Sequence, residues 1–381
     1  MTVGGAVCEF NPFHSGHKYF LNEIKKSGAD GVVCVMSGNF VQRGETAVCD
    51  KYLRAEAAVR NGADLVLELP VPYAVGTAET FARGSVGILD SLGCVDTLFF
   101  GAESSLDDIM YTLNECETEA CQDRIRSLLD SGLSYPNAVA KAVGNDILNG
   151  ANNVLAIEYI KQLKKLKSEI EPVRIERIGA YHDEENEKDG FLSASAVRER
   201  LRRGGDCRRY LPENVESGEI ADPNKLEIAV LSKLRTMSEE ELAQIADVNE
   251  GLEFRIKSAV QTATSVAEFT EKIKTRRYTN AKIRRILLCA YLGVTKEMQA
   301  VAPSFVRVLA TNEKGLEIIK AIKSSSDIDI ICRHSDAENL SESDKMLYDF
   351  GNVCDDIFAL ALPEIRPCGY NQRRKFTVIK N

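Results

Sequence analysis

The 381-residue sequence predicts an α/β protein built around a doubly wound parallel sheet. Short apolar runs of strand length alternate with amphipathic helical stretches over residues 1–204. The first run breaks at Asn11-Pro12-Phe13 into a helix that opens with His14-x-Gly16-His17. Sheets of this kind bind ligands at the carboxyl ends of their strands, near the switch in strand order.

The elements follow in order. Residues 3–10 read as a buried strand and 15–27 as a helix with Phe20, Leu21 and Ile24 on one face. Strand 31–36, helix 51–61, strand 64–69, helix 78–92 and strand 95–100 come next. Helices near 106–114, 119–131 and 136–145 precede helix 153–167, strand 173–178 and helix 195–203. Right-handed crossovers would join these strands. His14, the turn Ser37-Gly38-Asn39, Gly101 and Arg177 all fall at or just after strand ends, so they converge on one cleft.

Residues 223–295 carry helix-period patterns without a convincing strand. Strand 306–310, helix 314–323, strand 327–332 and helix 343–360 close the chain. The expected organisation is an α/β domain over 1–204, a helical domain over 205–300 and a small α/β unit over 301–381. The acidic run 183–190 reads equally as a lid or as a plain surface loop.

Composition narrows the function classes. No apolar stretch approaches the ~20 residues that span a bilayer, and the N-terminus lacks a signal-peptide pattern, so a cytoplasmic protein is expected. The eleven cysteines are scattered without a C-x-x-C pair, which suits small buried hydrophobes in a reducing compartment and predicts no metal site. The net charge of −9 argues against indiscriminate nucleic-acid binding. Two local basic clusters stand against that background. Arg198, Arg200, Arg202, Arg203, Arg208 and Arg209 form one. Lys272, Lys274, Arg276, Arg277, Lys282, Arg284 and Arg285 form the other, with Tyr278 inside it and no acid between its ends. A solvated helix face explains many basic runs; RNA contact, with Tyr278 stacking on a base, is the sharper reading.

The His14-x-Gly16-His17 turn places two imidazoles at the positive end of a helix, where phosphate binds and oxygens gaining charge can be stabilised. Gly16 lets a ligand approach the backbone. Two solvated histidines at a helix start would be the plain alternative.

The opening GAVCEFNPFHSGHKYFL resembles that of the tRNA(Met) cytidine acetate ligases, in the HIGH-motif nucleotidyltransferase superfamily. SGNFVQRGE (37–45), DKYLRAEAAVRNGADLVLELP (50–70), FGAES (100–104), SYPNAVA (134–140), NNVLAIEYIK (152–161), RIGAYHD (177–183), SASAVRERL (193–201), KTRRYTNAKIRRILL (274–288) and FVRVLATNEKG (305–315) resemble the same family in the same order. Cys8, Phe10 and Ser15 are minor departures. The resemblance implies a Rossmann-like fold and an ATP-dependent ligase that activates acetate as acetyl-adenylate. It would then acetylate N4 of the wobble cytidine of elongator tRNA(Met), with Mg2+ carried on the ATP phosphates.

Carried over by position, the resemblance assigns His14 and His17 to catalysis. Val7, Cys8, Glu9, Phe10, Asn11, Pro12, Phe13, His14, Ser15, Gly16, His17, Lys18, Tyr19 and Phe20 form the nucleotide-binding stretch, joined by Gly101, Asn152 and Arg177. Ser193, Ser195 and Arg198 would meet phosphates from a second helix start. Gly101 could instead merely end a strand, Asn152 or Ser195 cap a helix, and Arg177 pair with an acid. The register between Asn152 and Asn153 stays open. Asn39, Gln42 and Arg43 are expected to help hold acetate or the target cytosine. Two other functions compete: adenylylation of a phosphorylated small metabolite, and a non-catalytic RNA-binding protein with a relic ATP site.

Overall fold

The computed structural model describes all residues except 134, 177–191, 216–217, 250, 276–277 and 381. Arg177, Arg276, Arg277 and the acidic run therefore lie outside the described residues.

Strand β1 (Val3–Cys8) leads to helix α1 (Ser15–Lys26) and strand β2 (Gly31–Ser37). A hairpin of β3 (Phe40–Val41) and β4 (Glu45–Thr46) precedes α2 (Lys51–Arg60) and β5 (Leu65–Leu69). Helices α3 (Val71–Ala74) and α4 (Ala78–Ser91) lead to β6 (Thr97–Ala102). Then come α5 (Leu106–Glu117), α6 (Glu119–Asp130), α7 (Tyr135–Val143), α8 (Ala151–Leu166) and β7 (Glu171–Glu176). Beyond α9 (Ala194–Arg202), the chain is helical through α10 (Glu227–Thr236), α11 (Glu239–Gln244), α12 (Leu252–Thr262), α13 (Val266–Ile273), α14 (Asn280–Leu292) and α15 (Lys296–Ala300). It ends with β8 (Phe305–Asn312), α16 (Glu313–Ser325), β9 (Asp329–Ile331), α17 (Glu342–Phe358) and β10 (Thr377–Ile379).

The expected parallel sheet forms. Its order is β10-β8-β5-β2-β1-β6-β7, with β9 also on β8. Strands β5-β2-β1-β6-β7 are all parallel and follow a 3-2-1-4-5 winding, so strand order reverses between β1 and β6. In sheets of this winding the ligand crevice lies there, outside the carboxyl ends of those two strands. Helices α1 and α2 cover one face through Leu21, Ile24, Ala55 and Ala58; α4, α8 and α16 cover the other.

The strands of 301–381 make no sheet of their own. Strand β8 pairs antiparallel with β5, Val66 opposite Ala310, and carries β9 and β10 on its other edge. The helical segment has a separate apolar core, which Phe358 of α17 and Phe40 of the hairpin enter. Among the described residues no helix is long and apolar enough to cross a membrane.

A buried ionic cluster joins these parts. The Lys51 ammonium, fully buried, donates to Glu68 and Asp355, both at 2.6 Å. Arg307 of β8 lies 3.4 Å from Glu68 and 3.5 Å from Asp355. Asn39 donates to Asp355 (2.9 Å) and accepts the Lys51 backbone N–H (2.8 Å). Burial opposes ionisation of Glu68, yet Lys51 and Arg307 hold its carboxyl below the usual range. Replacing Lys51 by Met leaves two buried carboxylates facing one guanidinium. The expected loss, read by urea denaturation, is about 3–5 kcal/mol.

Candidate active site

The crevice begins where β1 stops. Phe10, expected inside the strand, adopts φ +45° instead, and the chain turns through a cis Asn11–Pro12 bond. Arg54, fully buried, stitches this turn to the next. Its guanidinium donates to the carbonyls of Glu9, Ser37, Gly38 and Cys49. Asn11 is buried as well: its Oδ1 accepts the Val48 N–H (2.7 Å) and its carbonyl accepts Arg198 (2.8 Å).

His14 is the N-cap of α1. Its Nδ1 accepts the Gly16 N–H at 3.0 Å, and its own N–H donates to His17 Nδ1 at 3.3 Å. With both Nδ1 atoms accepting, the neutral rings carry their protons on Nε2, as these hydrogen bonds assign them. The rings stack with centroids 3.8 Å apart, and Phe10 meets His17 edge-on at 5.0 Å. A Cβ on Gly16 would lie 2.9 Å from His14 Cε1, so only glycine leaves the ring in place. Of the predicted stretch, Phe10, Asn11, Pro12 and Phe13 are buried; Val7, Cys8, Glu9, Ser15, Tyr19 and Phe20 are half-buried; Lys18 is exposed. Burial and the neighbouring Cys34 push the Cys8 thiol well up, which unsuits it as a nucleophile.

Across the switch point, Gly101 is the penultimate residue of β6. The turn after it is clamped by Asn153, whose Oδ1 accepts the N–H groups of Glu103 and Ser104, both at 3.0 Å. Asn153 Nδ2 donates to Ser104 Oγ and to the Ile147 carbonyl. Asn152, half-buried, donates to Glu103 (2.6 Å). Gly150 caps α8, so neither asparagine is an N-cap.

The third wall is α9. Ser193, not Ser195, is its cap, accepting from the Ala196 N–H at 3.3 Å. Ser195 Oγ instead receives Arg43 Nη1 (3.0 Å) and Arg198 Nη2 (3.3 Å). Glu45 of the hairpin faces Arg198 (3.3 Å) and Arg202 (3.2 Å). Glu9 accepts the Gln42 N–H at 2.8 Å; burial raises its carboxyl, although that bond and the charges of Arg43, Arg198 and Arg54 pull it down. Asn39 belongs to the buried ionic cluster instead. The sequence had not singled out Arg54 or Glu103. Alanines at 55, 57 and 58 beside Arg54 are the one local sign that this helix packs closely.

The second basic cluster is less bare than its sequence. Lys272 pairs with Glu268 (2.9 Å), Lys274 with Glu271 (3.3 Å), and Arg285 and Lys282 reach Asp247 at 3.2 and 3.9 Å. Arg284 is exposed, and Tyr278 packs half-buried on the helical core with Lys282 5.4 Å from its ring. Helix α14 nevertheless adjoins the crevice. Gly44 of the hairpin (φ +77°) rests on it so closely that a Cβ would lie 2.6 Å from the Arg284 carbonyl carbon. In the first cluster, Arg200 and Arg209 lie 5.9 and 6.0 Å from the Tyr210 ring, and Ser15 Oγ donates to the Tyr210 carbonyl.

Among the described residues no group of three His, Cys, Asp or Glu side chains is arranged to hold a metal ion. The cysteines are unbridged.

This winding, with paired histidines at the first helix start beside the switch point, defines a nucleotidyl transferase. The HIGH Nucleotidyl Transferase family model matches residues 1–372. The tRNA(Met) cytidine acetate ligase of Acetivibrio thermocellus is 39% identical over 371 residues, covering 88% of this chain and 89% of that protein. The Fervidobacterium nodosum protein of that name is 37% identical over 379 residues, covering 93% and 89%. Thermotoga maritima TmcAL, solved apo, superposes with a TM-score of 0.90 at 29% identity over the whole of both chains. The form bound with alpha-thio ATP gives 0.89 at 30% identity, again over both whole chains. The chain belongs to the tRNA(Met) cytidine acetate ligase family.

The two asparagines should separate on mutation. Asn153→Ala, which orphans two partly buried N–H groups, is expected to cost about 1–2 kcal/mol in chemical denaturation, and Asn152→Ala less than about 1.

Proposed function

We propose that this chain is an ATP-dependent ligase that activates acetate as acetyl-adenylate and acetylates N4 of the wobble cytidine of elongator tRNA(Met). The observation that carries the reading is the stacked histidine pair, held by its backbone bonds to present Nε2–H groups at a helix start beside the switch point. The ATP α-phosphate fits there, because neutral Nε2–H donors at the positive end of a helix stabilise oxygens that gain charge during transfer. Gly101 and Asn152 would face the nucleotide across the crevice, and Ser193, Ser195 and Arg198 its phosphates. Mg2+ would enter on those phosphates. Residues 1–204 would serve as the catalytic part, 205–300 would carry RNA contacts through Lys274, Tyr278 and Arg284, and 301–381 would brace the sheet.

Acetate is a poor acyl donor, so a carboxylate oxygen first displaces pyrophosphate from the α-phosphorus. The cytosine amine then attacks the acetyl carbonyl, AMP leaves with the C–O electron pair, and the amine loses a proton. That step needs the base splayed from its loop into the crevice, as single-stranded RNA allows. The contact of α14 with the hairpin favours this reading over adenylylation of a small metabolite, since it sets the exposed Arg284 beside the site.

Acetate-dependent ATP–pyrophosphate exchange, run with and without tRNA, tests the reading. His14→Ala/His17→Ala should lower it by about 10³-fold or more. A dinucleotide product from a phosphorylated metabolite, with no response to acetate or tRNA, would sink the proposal. Gly16→Ala should also abolish exchange while changing stability by no more than about 1 kcal/mol, alanine's helix propensity offsetting the displaced His14 cap. Lys274→Ala/Arg284→Ala should weaken tRNA binding about tenfold or more, flatten its salt dependence and spare acetyl-adenylate formation.

A further inference from the structure

We propose that Glu9 is the general base of acetyl transfer, its carboxylate accepting the exocyclic amine of the target cytosine and taking the proton that the amine loses. The inference rests on the function proposed above, which leaves that proton without a destination. Glu9 lies between the end of β1 and the histidine turn. Among the described residues its carboxylate enters no ion pair and accepts one hydrogen bond, from the Gln42 N–H to Oε1 at 2.8 Å. Oε2 is left for another donor. The neighbouring acids are engaged: Glu45 faces Arg198 and Arg202, and Glu103 holds Asn152. A carboxylate repels polyphosphate and acetate alike, so it is the backbone of Glu9, its carbonyl held by Arg54, that supports the nucleotide-binding turn.

A second group points to the same ligand. Alternation along β1 sends the Glu9 side chain to the Val7 side of the sheet, the face covered by α4 and α8. Tyr159 of α8 meets it there: burial and then the Glu9 charge raise its phenol above the ordinary value. Tyr159 is 4% exposed, its ring packs 6.2 Å from that of Phe100 on β6, and its hydroxyl makes no hydrogen bond among the described residues. Buried hydroxyls ordinarily have partners, so this one is matched to a ligand at the switch point. A carboxylate acceptor and a phenolic donor on one wall fit the pairing edge of cytosine, which offers its N4 amine as donor and N3 as acceptor. Uracil reverses both groups and would set its O4 against the carboxylate.

Burial raises the Glu9 carboxyl, while the Gln42 N–H, Arg43 of the hairpin, Arg198 of α9 and Arg54 of α2 pull it down. The Cys8 thiol and the Tyr159 phenol beside it are both raised and stay neutral. The balance is a carboxyl above its ordinary value, hence a stronger base. In the reaction the cytosine N4 forms the new bond to the acetyl carbon, and the carbonyl pair moves onto its oxygen. As that pair returns, the bond to the AMP oxygen breaks and AMP leaves with the electrons. The N4 proton passes to Glu9 Oε2 and from there to water.

The test compares wild type with Glu9→Gln and Tyr159→Phe in two assays: acetate-dependent ATP–pyrophosphate exchange, and acetyl transfer to tRNA from synthetic acetyl-adenylate. Glutamine keeps an acceptor for the Gln42 N–H but takes up no proton. Transfer in Glu9→Gln should fall about 10²–10³-fold, with exchange falling no more than about threefold. Retained exchange also reports that the variant is folded. In wild type the transfer rate should rise with pH as Glu9 ionises and then level off. That rise should be missing from Glu9→Gln, the histidines being common to both proteins. Tyr159→Phe should raise the KM of transfer for tRNA about tenfold; an unchanged KM would overturn the fit to the cytosine edge. Equal losses of exchange and transfer in Glu9→Gln, or a KM for ATP raised about tenfold, would place the carboxylate on the nucleotide or the fold and overturn the proposal. Unchanged transfer, or a pH rise kept in Glu9→Gln, would overturn it too and leave the proposed function standing. Wild-type protein without acetate-dependent exchange, with or without tRNA, would remove both.

Discussion

A lysine with no exposed atom fixes how the parts of this molecule meet. Lys51 starts α2, Glu68 is on β5, Asp355 on α17 and Arg307 on β8, and their charged ends share one dry space with Asn39. Taking four charges out of water costs nearly what their mutual attraction returns, so such a cluster adds little net stability. Any arrangement that leaves one of them unpaired is heavily penalised, however. Burial works against the Lys51 charge, yet Asp355 and Glu68 raise its pKa above the ordinary value. The last third of the chain is thereby held at one register on the sheet, and the loop after β2, which begins the hairpin, is held at one height above it.

The parallel half of the sheet was legible because its strands are apolar runs and its helices amphipathic at a steady spacing. The cleft was legible because strand ends in such a sheet gather ligands whatever the sequence. The pairing of β8 with β5 had no local sign. Residues 66 and 310 pair across 244 positions, and an edge strand reads the same whether it joins this sheet or another. The two-residue strands of the hairpin are too short for periodicity to detect. Helix α2 misleads in a different way. Lys51 and Arg54 look like its wet face, yet both point inward, and only the alanines around them hint at it.

Charge also reads differently in space than along the chain. The run from Lys272 to Arg285 contains no acid, but Glu268 and Glu271 lie one turn back and Asp247 reaches in from a distant loop. Exposed pairs of this sort contribute little to stability, being screened by water and salt. They do lower the local field, so among the described cations the exposed Arg284 would add more to RNA contact than the acid-paired Lys274. The asparagine pair gives the opposite lesson. Identical neighbours in sequence become a buried clamp at 153 and a half-buried amide at 152, a distinction that needs the turn at Glu103 to be seen.

Phosphoryl transfer asks a protein mainly for position and charge, with little covalent chemistry of its own. The turn after β1 meets that demand with backbone as much as with side chains. Capping the helix with an imidazole instead of a hydroxyl makes one residue satisfy an orphan N–H and present a donor on its far side. His17 returns the favour by accepting the His14 N–H, which locks the two rings together. That arrangement needs a glycine two residues on and a chain reversal that a strand continuing past Cys8 would not give. Arg54 makes the reversal affordable by taking the carbonyls of Glu9, Ser37 and Gly38, which would otherwise face the interior unpaired. The histidines are therefore only the half-buried outer end of a chain of constraints that runs back through Arg54 and the β2 loop to Lys51.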